Sequence, residues 1–203
     1  MRHSKRILLS SVLAAGLFGA GIAVATPPIV QPGSAIIDGL TAEWNLVNDF
    51  FTNMYRAGKV DKPLESKLYL RYDCGKQTVY ALVLTEPNVP GLIVAGATTA
   101  WIAINSQNNK VVNEGSGNDG TPPDFAWVGR GYDGDQSHVL GYEASFVLAL
   151  GTYNIIAHVD VLDASAAQTS ASPGFPGTGP QLVLACLVGA ESSTWSGIKD
   201  LYR

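Results

Sequence analysis

Leu68, Leu70 and Tyr72 alternate with Lys67, Tyr69, Arg71 and Asp73, and a period of two is what a strand with one buried face produces. A second run follows at once, with Val79, Ala81 and Val83 alternating with Tyr80, Leu82 and Leu84. Between the two, Cys74-Gly75-Lys76-Gln77 has the length and the glycine of a hairpin loop. Strand-like runs recur at 99–105, 124–130, 140–148, 153–162 and 181–188, and clusters rich in Gly, Pro, Asn, Asp and Ser at 105–109, 115–123 and 170–180 separate them. Many short strands with turn-rich spacing predict an all-β fold, a single antiparallel β-sandwich. Helical spacing occurs in two places. Val47, Phe50, Phe51 and Met54 recur at three- and four-residue intervals within Leu46–Arg56, and Trp195, Ile198 and Leu201 recur every third residue in the tail from Ser193. Each predicts a short helix flanking the sandwich.

The N-terminus has a different pattern. Arg2, Lys5 and Arg6 precede an apolar run from Ile7 to Val24 that closes on Ala23-Val24-Ala25, the order of a signal peptide with an A-x-A cleavage site. Residues 1–25 are therefore expected to be removed, leaving one domain over 26–203 and a secreted, extracellular or cell-envelope location. The chain has 203 residues, 46% hydrophobic and 15% charged, enough for one sizeable core and cramped for two. Loss of the three basic residues takes 13 Lys and Arg to 10 against 17 Asp and Glu, a formal charge of −7. Such a surface repels phosphate backbones and anionic lipid, so neither nucleic acid nor, after cleavage, a membrane is an expected partner.

Cys74 and Cys186 are the chain's only cysteines. In an oxidising compartment an even count with no metal-ligand spacing predicts one disulfide.

Catalytic signatures are missing: the chain has no GxSxG, HExxH, P-loop or dinucleotide glycine motif, and no enzyme or catalytic residue is expected. His158 and Asp160 lie two apart on one strand, hence on one face, with Ser145 or Glu143 as conceivable neighbours. A polar outward face opposite Ala157, Val159 and Val161 accounts for the pair without chemistry. Asn113, Glu114, Asn118, Asp119, Asp124, Asp133 and Asp135 are interleaved with glycines. Oxygen ligands on flexible loops suit Ca²⁺, with Asp119, Asp124, Asp133 and Asp135 as the candidate metal ligands; solvated turns are the alternative. Trp101, beside Thr99 and Ala103, and Trp127, beside Phe125 and Gly129, have the flat ring and polar N–H that suit either a sugar platform or a core. Alternation against Ile102 and Ile104 predicts Trp101 outward, and Trp127 is expected inward. Tyr132 completes the set of ligand-binding candidates.

Ile36-Ile37-Asp38-Gly39, then Glu43-Trp44, the strand pair with Tyr72-Asp73 and Leu82-Val83, and Gly141-Tyr142-Glu143-Ala144-Ser145-Phe146 together resemble the family-nine carbohydrate-binding-module and DOMON-like sandwiches. The resemblance spans most of the mature chain and implies the sandwich. It also implies a tryptophan pair clamping a sugar and calcium bracing loops, or, as in other relatives, haem binding or packing against partner domains. Met54 is the only methionine after the leader, which suits haem poorly. The expected function is non-catalytic binding of a glycan or cell-surface polymer. The alternative is a structural or adhesive subunit of an extracellular assembly, with protein partners or self-association.

Overall fold

The computed structural model describes residues 28, 30–87, 98–129, 139–162, 167–174 and 180–186. Within them lie β1 (Gln31–Pro32), β2 (Phe50–Arg56), β3 (Leu64–Asp73), β4 (Thr78–Thr85), β5 (Ala100–Ile104) and β6 (Lys110–Asn113). They are followed by β7 (Asp124–Val128), β8 (Gly141–Val147), β9 (Gly151–Leu162), β10 (Gln168–Pro173) and β11 (Gln181–Leu184). All belong to one sheet in the order β6-β5-β9-β10-β2-β3-β4-β8-β7, with β1 beside β3 and β11 beside β9. Every pairing is antiparallel except β1 with β3.

The fold is all-β, as the patterning predicts, but the expected two-sheet sandwich is replaced by a single sheet curled nearly into a barrel. β10 makes the difference. Ser170-Ala171-Ser172 falls in a stretch that reads as turn, yet β10 pairs with β9 on one side and β2 on the other, joining what would otherwise be two sheets. At the far ends of the order, β6 comes alongside β7 and β8, which brings the two free edges towards each other.

Alternation places the core. Leu68, Leu70, Tyr72, Val79, Ala81, Val83, Ala100, Ile102, Ile104, Tyr142, Ala144, Phe146, Ile155, Ala157, Val159 and Val161 face the interior as one buried cluster. The predicted hairpin forms, with Cys74–Gln77 turning β3 into β4.

The described residues contain no helix, so the expectation over Leu46–Arg56 is corrected. Phe50–Arg56 is β2, after a turn at 46–48 that leaves Val47 85% exposed. The register of β2 on β3 shifts between Phe50 and Thr52 and again between Met54 and Tyr55. Such a bulge sets two residues against one and breaks the period of two. Phe51 and Met54 can therefore both be buried three positions apart, a spacing that imitates a helix. The tail from Ser193 lies outside the described residues.

Candidate functional site

Two arrangements of polar side chains stand out, one under a strap and one on the outer face of β5, β9, β10 and β2. The strap is the segment 33–49, which crosses the outer face of β3, β4, β8 and β7. Ile37 and Trp44 pack there against Tyr69, Tyr80, Leu82 and Val128, forming a second buried cluster on the other side of the sheet from the first. Its centre is Glu143 on β8, fully buried. Trp44 Nε1 donates to Glu143 Oε1 at 2.6 Å, while the backbone N–H groups of Gly39 and Asp38 donate to Oε2 at 2.8 and 3.2 Å. Burial pushes the Glu143 carboxyl up to about 7, against the pull of the Trp44 and Gly39 N–H groups. Gly39 has φ +82°, and a Cβ there would stand 2.4 Å from the Trp127 carbonyl oxygen, so only glycine lets the turn approach this closely. Arg71 on β3 closes the other end: it pairs with Asp49 at 2.8 Å, donates to the carbonyls of Ser34 and Glu43, and lies 5.0 Å from the Trp44 ring centroid. The short sequence signals around Asp38-Gly39, Trp44 and Glu143 thus converge on one network. It is a latch for the strap, with all three of its described donors supplied by the chain.

Among the described residues, the outer face over β5, β9, β10 and β2 carries no such cluster; none of the residues of the second cluster comes from these four strands. Here Trp101 pairs with His158, and their rings stack with centroids 4.9 Å apart and 10° between planes. Lys110 Nζ lies 4.7 Å from the Trp101 centroid. Asp160 Oδ1 stands 3.1 Å from His158 Nε2, and Ser172 Oγ 3.5 Å from His158 Nδ1. A carboxylate only accepts, so Nε2 carries the proton and Nδ1 is left to accept from the Ser172 hydroxyl. Burial holds the imidazole below its usual pKa and Lys110 adds to this, while Asp160 opposes them. Ser172 in turn pairs with Tyr55 on β2. The result is a cross-strand row of Trp101, His158, Ser172 and Tyr55, with Lys110 reaching over the Trp101 ring and Asp160 beside His158. Such a row offers donors and acceptors at positions fixed by the sheet, and its imidazole can take up a proton.

The residues singled out from the sequence fall in several places. Trp101 is on the outer face but only 8% exposed, its ring flanked by His158 and Lys110, so it presents no open stacking face. Trp127 on β7 is half-buried on the interior side, edge-on to Phe125 and Tyr142. The two tryptophans therefore lie on opposite faces of the sheet and form no clamp. Asp119 and Asp124 do come together: Asp124 Oδ1 accepts from the backbone N–H of Asp119 and Gly120, and Asp119 Oδ1 from that of Thr121. Tyr132, Asp133 and Asp135 lie outside the described residues. Among the described residues no group of three or more His, Cys, Asp or Glu is placed to hold a metal ion. Cys74 and Cys186 form a disulfide, tying the end of β11 to the β3–β4 hairpin. The serine beside His158 is Ser172, not Ser145, whose hydroxyl faces Asp124 at 3.4 Å, and Glu143 belongs to the latch. Ser172 went unnoticed because its strand alternates small residues too weakly to read as one.

No family model, curated protein or solved structure matches this chain.

Proposed function

We propose that the protein is an exported, non-catalytic binding domain whose outer face over β5, β9, β10 and β2 holds a glycan or surface polymer. The observation that carries this reading is the cross-strand row of Trp101, His158, Ser172 and Tyr55, with Lys110 over the Trp101 ring, on strands that contribute no residue to the second cluster. A polymer of hydroxyl-bearing units needs hydrogen-bonding groups at fixed positions and an amphipathic ring for its apolar edges. Tyr55, half-buried at the end of the row, supplies the ring that Trp101 does not. Export accords with the Cys74–Cys186 bond, which persists in an oxidising compartment, and with the basic, apolar and Ala23-Val24-Ala25 order of the first 25 residues.

The test is affinity electrophoresis against a panel of soluble polysaccharides. Tyr55→Ala and His158→Ala should each weaken retention at least tenfold with the fold intact by circular dichroism. Retention unchanged in both variants, or absent throughout the panel for the unmodified protein, would overturn this reading.

The strap favours a second reading, a structural subunit of an extracellular assembly. Ile36, Leu40, Leu46, Val47 and Phe50, all within fifteen positions, are exposed by 71, 61, 46, 85 and 38%, and exposed apolar side chains in number mark contact surfaces. Concentration-dependent association that Val47→Asp abolishes would favour this alternative.

A further inference from the structure

We propose that Ser172 is an activated nucleophile that takes an acyl group from an ester, with His158 as its general base and Asp160 as the group that orients the imidazole. The inference concerns the same face as the binding reading, departs from its non-catalytic part by adding a covalent step at Ser172, and does not depend on it. A serine hydroxyl is unreactive until a base within hydrogen-bond reach removes its proton, and the base must present a lone pair in the right direction. Three contacts supply this. Asp160 Oδ1, 3.1 Å from Nε2, fixes the tautomer that leaves the Nδ1 lone pair free. Ser172 Oγ stands 3.5 Å from that nitrogen, the looser spacing found before substrate tightens such a contact. The Trp101 ring, 10° from parallel at 4.9 Å, holds the imidazole plane.

These residues come from two strands and the adjoining β5, so the sheet sets the geometry. Ala171 pairs with Val159, which brings the next residue on β10 beside the preceding one on β9. Among the described residues, the charged groups acting on His158 are Asp160 on its own strand and Lys110 from β6, and Tyr55 of β2 lies across Ser172. β5 and β10 contribute Trp101 and Ser172, which carry no charge. Lys110 opposes a second positive charge and so favours the free base.

In the step, Ser172 Oγ attacks the ester carbonyl carbon and its proton passes to His158 Nδ1. The tetrahedral adduct collapses with cleavage of the ester C–O bond, and the departing alkoxide takes the proton from Nδ1, leaving acyl-Ser172 and a free alcohol. β10 is paired on both flanks, so its backbone N–H groups lie in the plane of the sheet instead of converging on an oxyanion. Slow, stoichiometric acylation is therefore expected in place of rapid turnover.

The experiment treats the full chain with a fluorophosphonate and, separately, with p-nitrophenyl acetate, and reads adducts by intact mass and peptide mapping. One adduct, on Ser172, is expected. Ser172→Ala should carry none, and Ser170→Ala, altered on the same strand, should label like the unmodified protein. His158→Gln should slow labelling at least tenfold with the melting temperature within a few degrees, and the unmodified rate should rise with pH through one ionisation lying below that of a free histidine. No adduct, an adduct elsewhere, or a Ser172 adduct whose rate ignores His158→Gln would overturn the proposal. Retention of polysaccharide by Tyr55 is read separately, so either reading can fail alone.

Discussion

The two outer faces of the sheet are built on opposite rules. Over β3, β4, β8 and β7 the outward positions hold Tyr69, Tyr80, Leu82 and Val128, nearly as buried as the interior, because the strap lies on them. Over β5, β9 and β10 the outward positions hold Trp101, His158, Asp160 and Ser172, which satisfy one another laterally. A strand that is apolar on both faces needs a cover on each, whereas one that alternates can leave a face free for a partner. The strapped half is tied through Glu143 and Trp44, and the other half carries the polar row on which both proposals rest.

That contrast can be broken most directly at the Cys74–Cys186 bond, which ties β11, beside β9, to the β3–β4 hairpin of the strapped half. The bond spans 112 positions, and in the chain-entropy model its loss through Cys186→Ser should cost roughly 4–5 kcal/mol. Denaturant unfolding measures this, and a loss under about 1 kcal/mol would mean that sheet pairing alone joins the halves.

Trp44→Ala removes a ring 6% exposed and an indole donor to a buried carboxylate. A loss of about 3–5 kcal/mol is expected, in the range of buried aromatic truncations. Trp101→Ala removes a ring nearly as buried, 8% exposed, that packs on His158 and Lys110 without the bond Trp44 makes to Glu143, so its loss should be smaller by about 1 kcal/mol. Equal losses at the two positions would erase the distinction between the faces.

The pH dependence sharpens the same comparison. Glu143 has its carboxyl raised from 4.5 to about 7 by burial, so the folded chain holds its proton more tightly than the unfolded chain. The contribution is fully present below pH 4.5 and is lost as pH rises through about 7, by up to about 3 kcal/mol. Melting temperatures between pH 4 and 8 should fall across this window, and Glu143→Gln should flatten the slope. A slope that survives the substitution would place its origin elsewhere.

The smallest effect should come from Tyr55→Ala and Ser172→Ala, each within about 1 kcal/mol of the unmodified protein because both positions are half-buried on a solvent face. Calorimetry that shows a larger loss would make the row structural.

Much of the fold was legible wherever neighbours along the chain impose the pattern. Alternation at Leu68, Leu70 and Tyr72 and at Ala157, Val159 and Val161 predicted the faces that turn inward, and the loop at Cys74–Gln77 predicted the hairpin. The candidate site was legible only in part. His158 and Asp160 share a face by their spacing, but Ser172 comes from a strand of small residues that looks like a loop. The helix expected at Leu46–Arg56 failed for a related reason, because two bulges in β2 gave its buried residues a helical spacing.

The chain by itself determined the all-β class, the strand faces, the hairpin and the cysteine pair, since each follows from side-chain period, turn chemistry or redox compartment. Only the tertiary structure decided that β10 bridges β9 and β2 and so turns two sheets into one, that the strap covers Glu143, and that Trp101 stacks on His158 with Ser172 on its other side. Those are contacts between residues far apart in sequence. Their register is set by the ladder of hydrogen bonds and the docking of one face on another, which no local pattern carries.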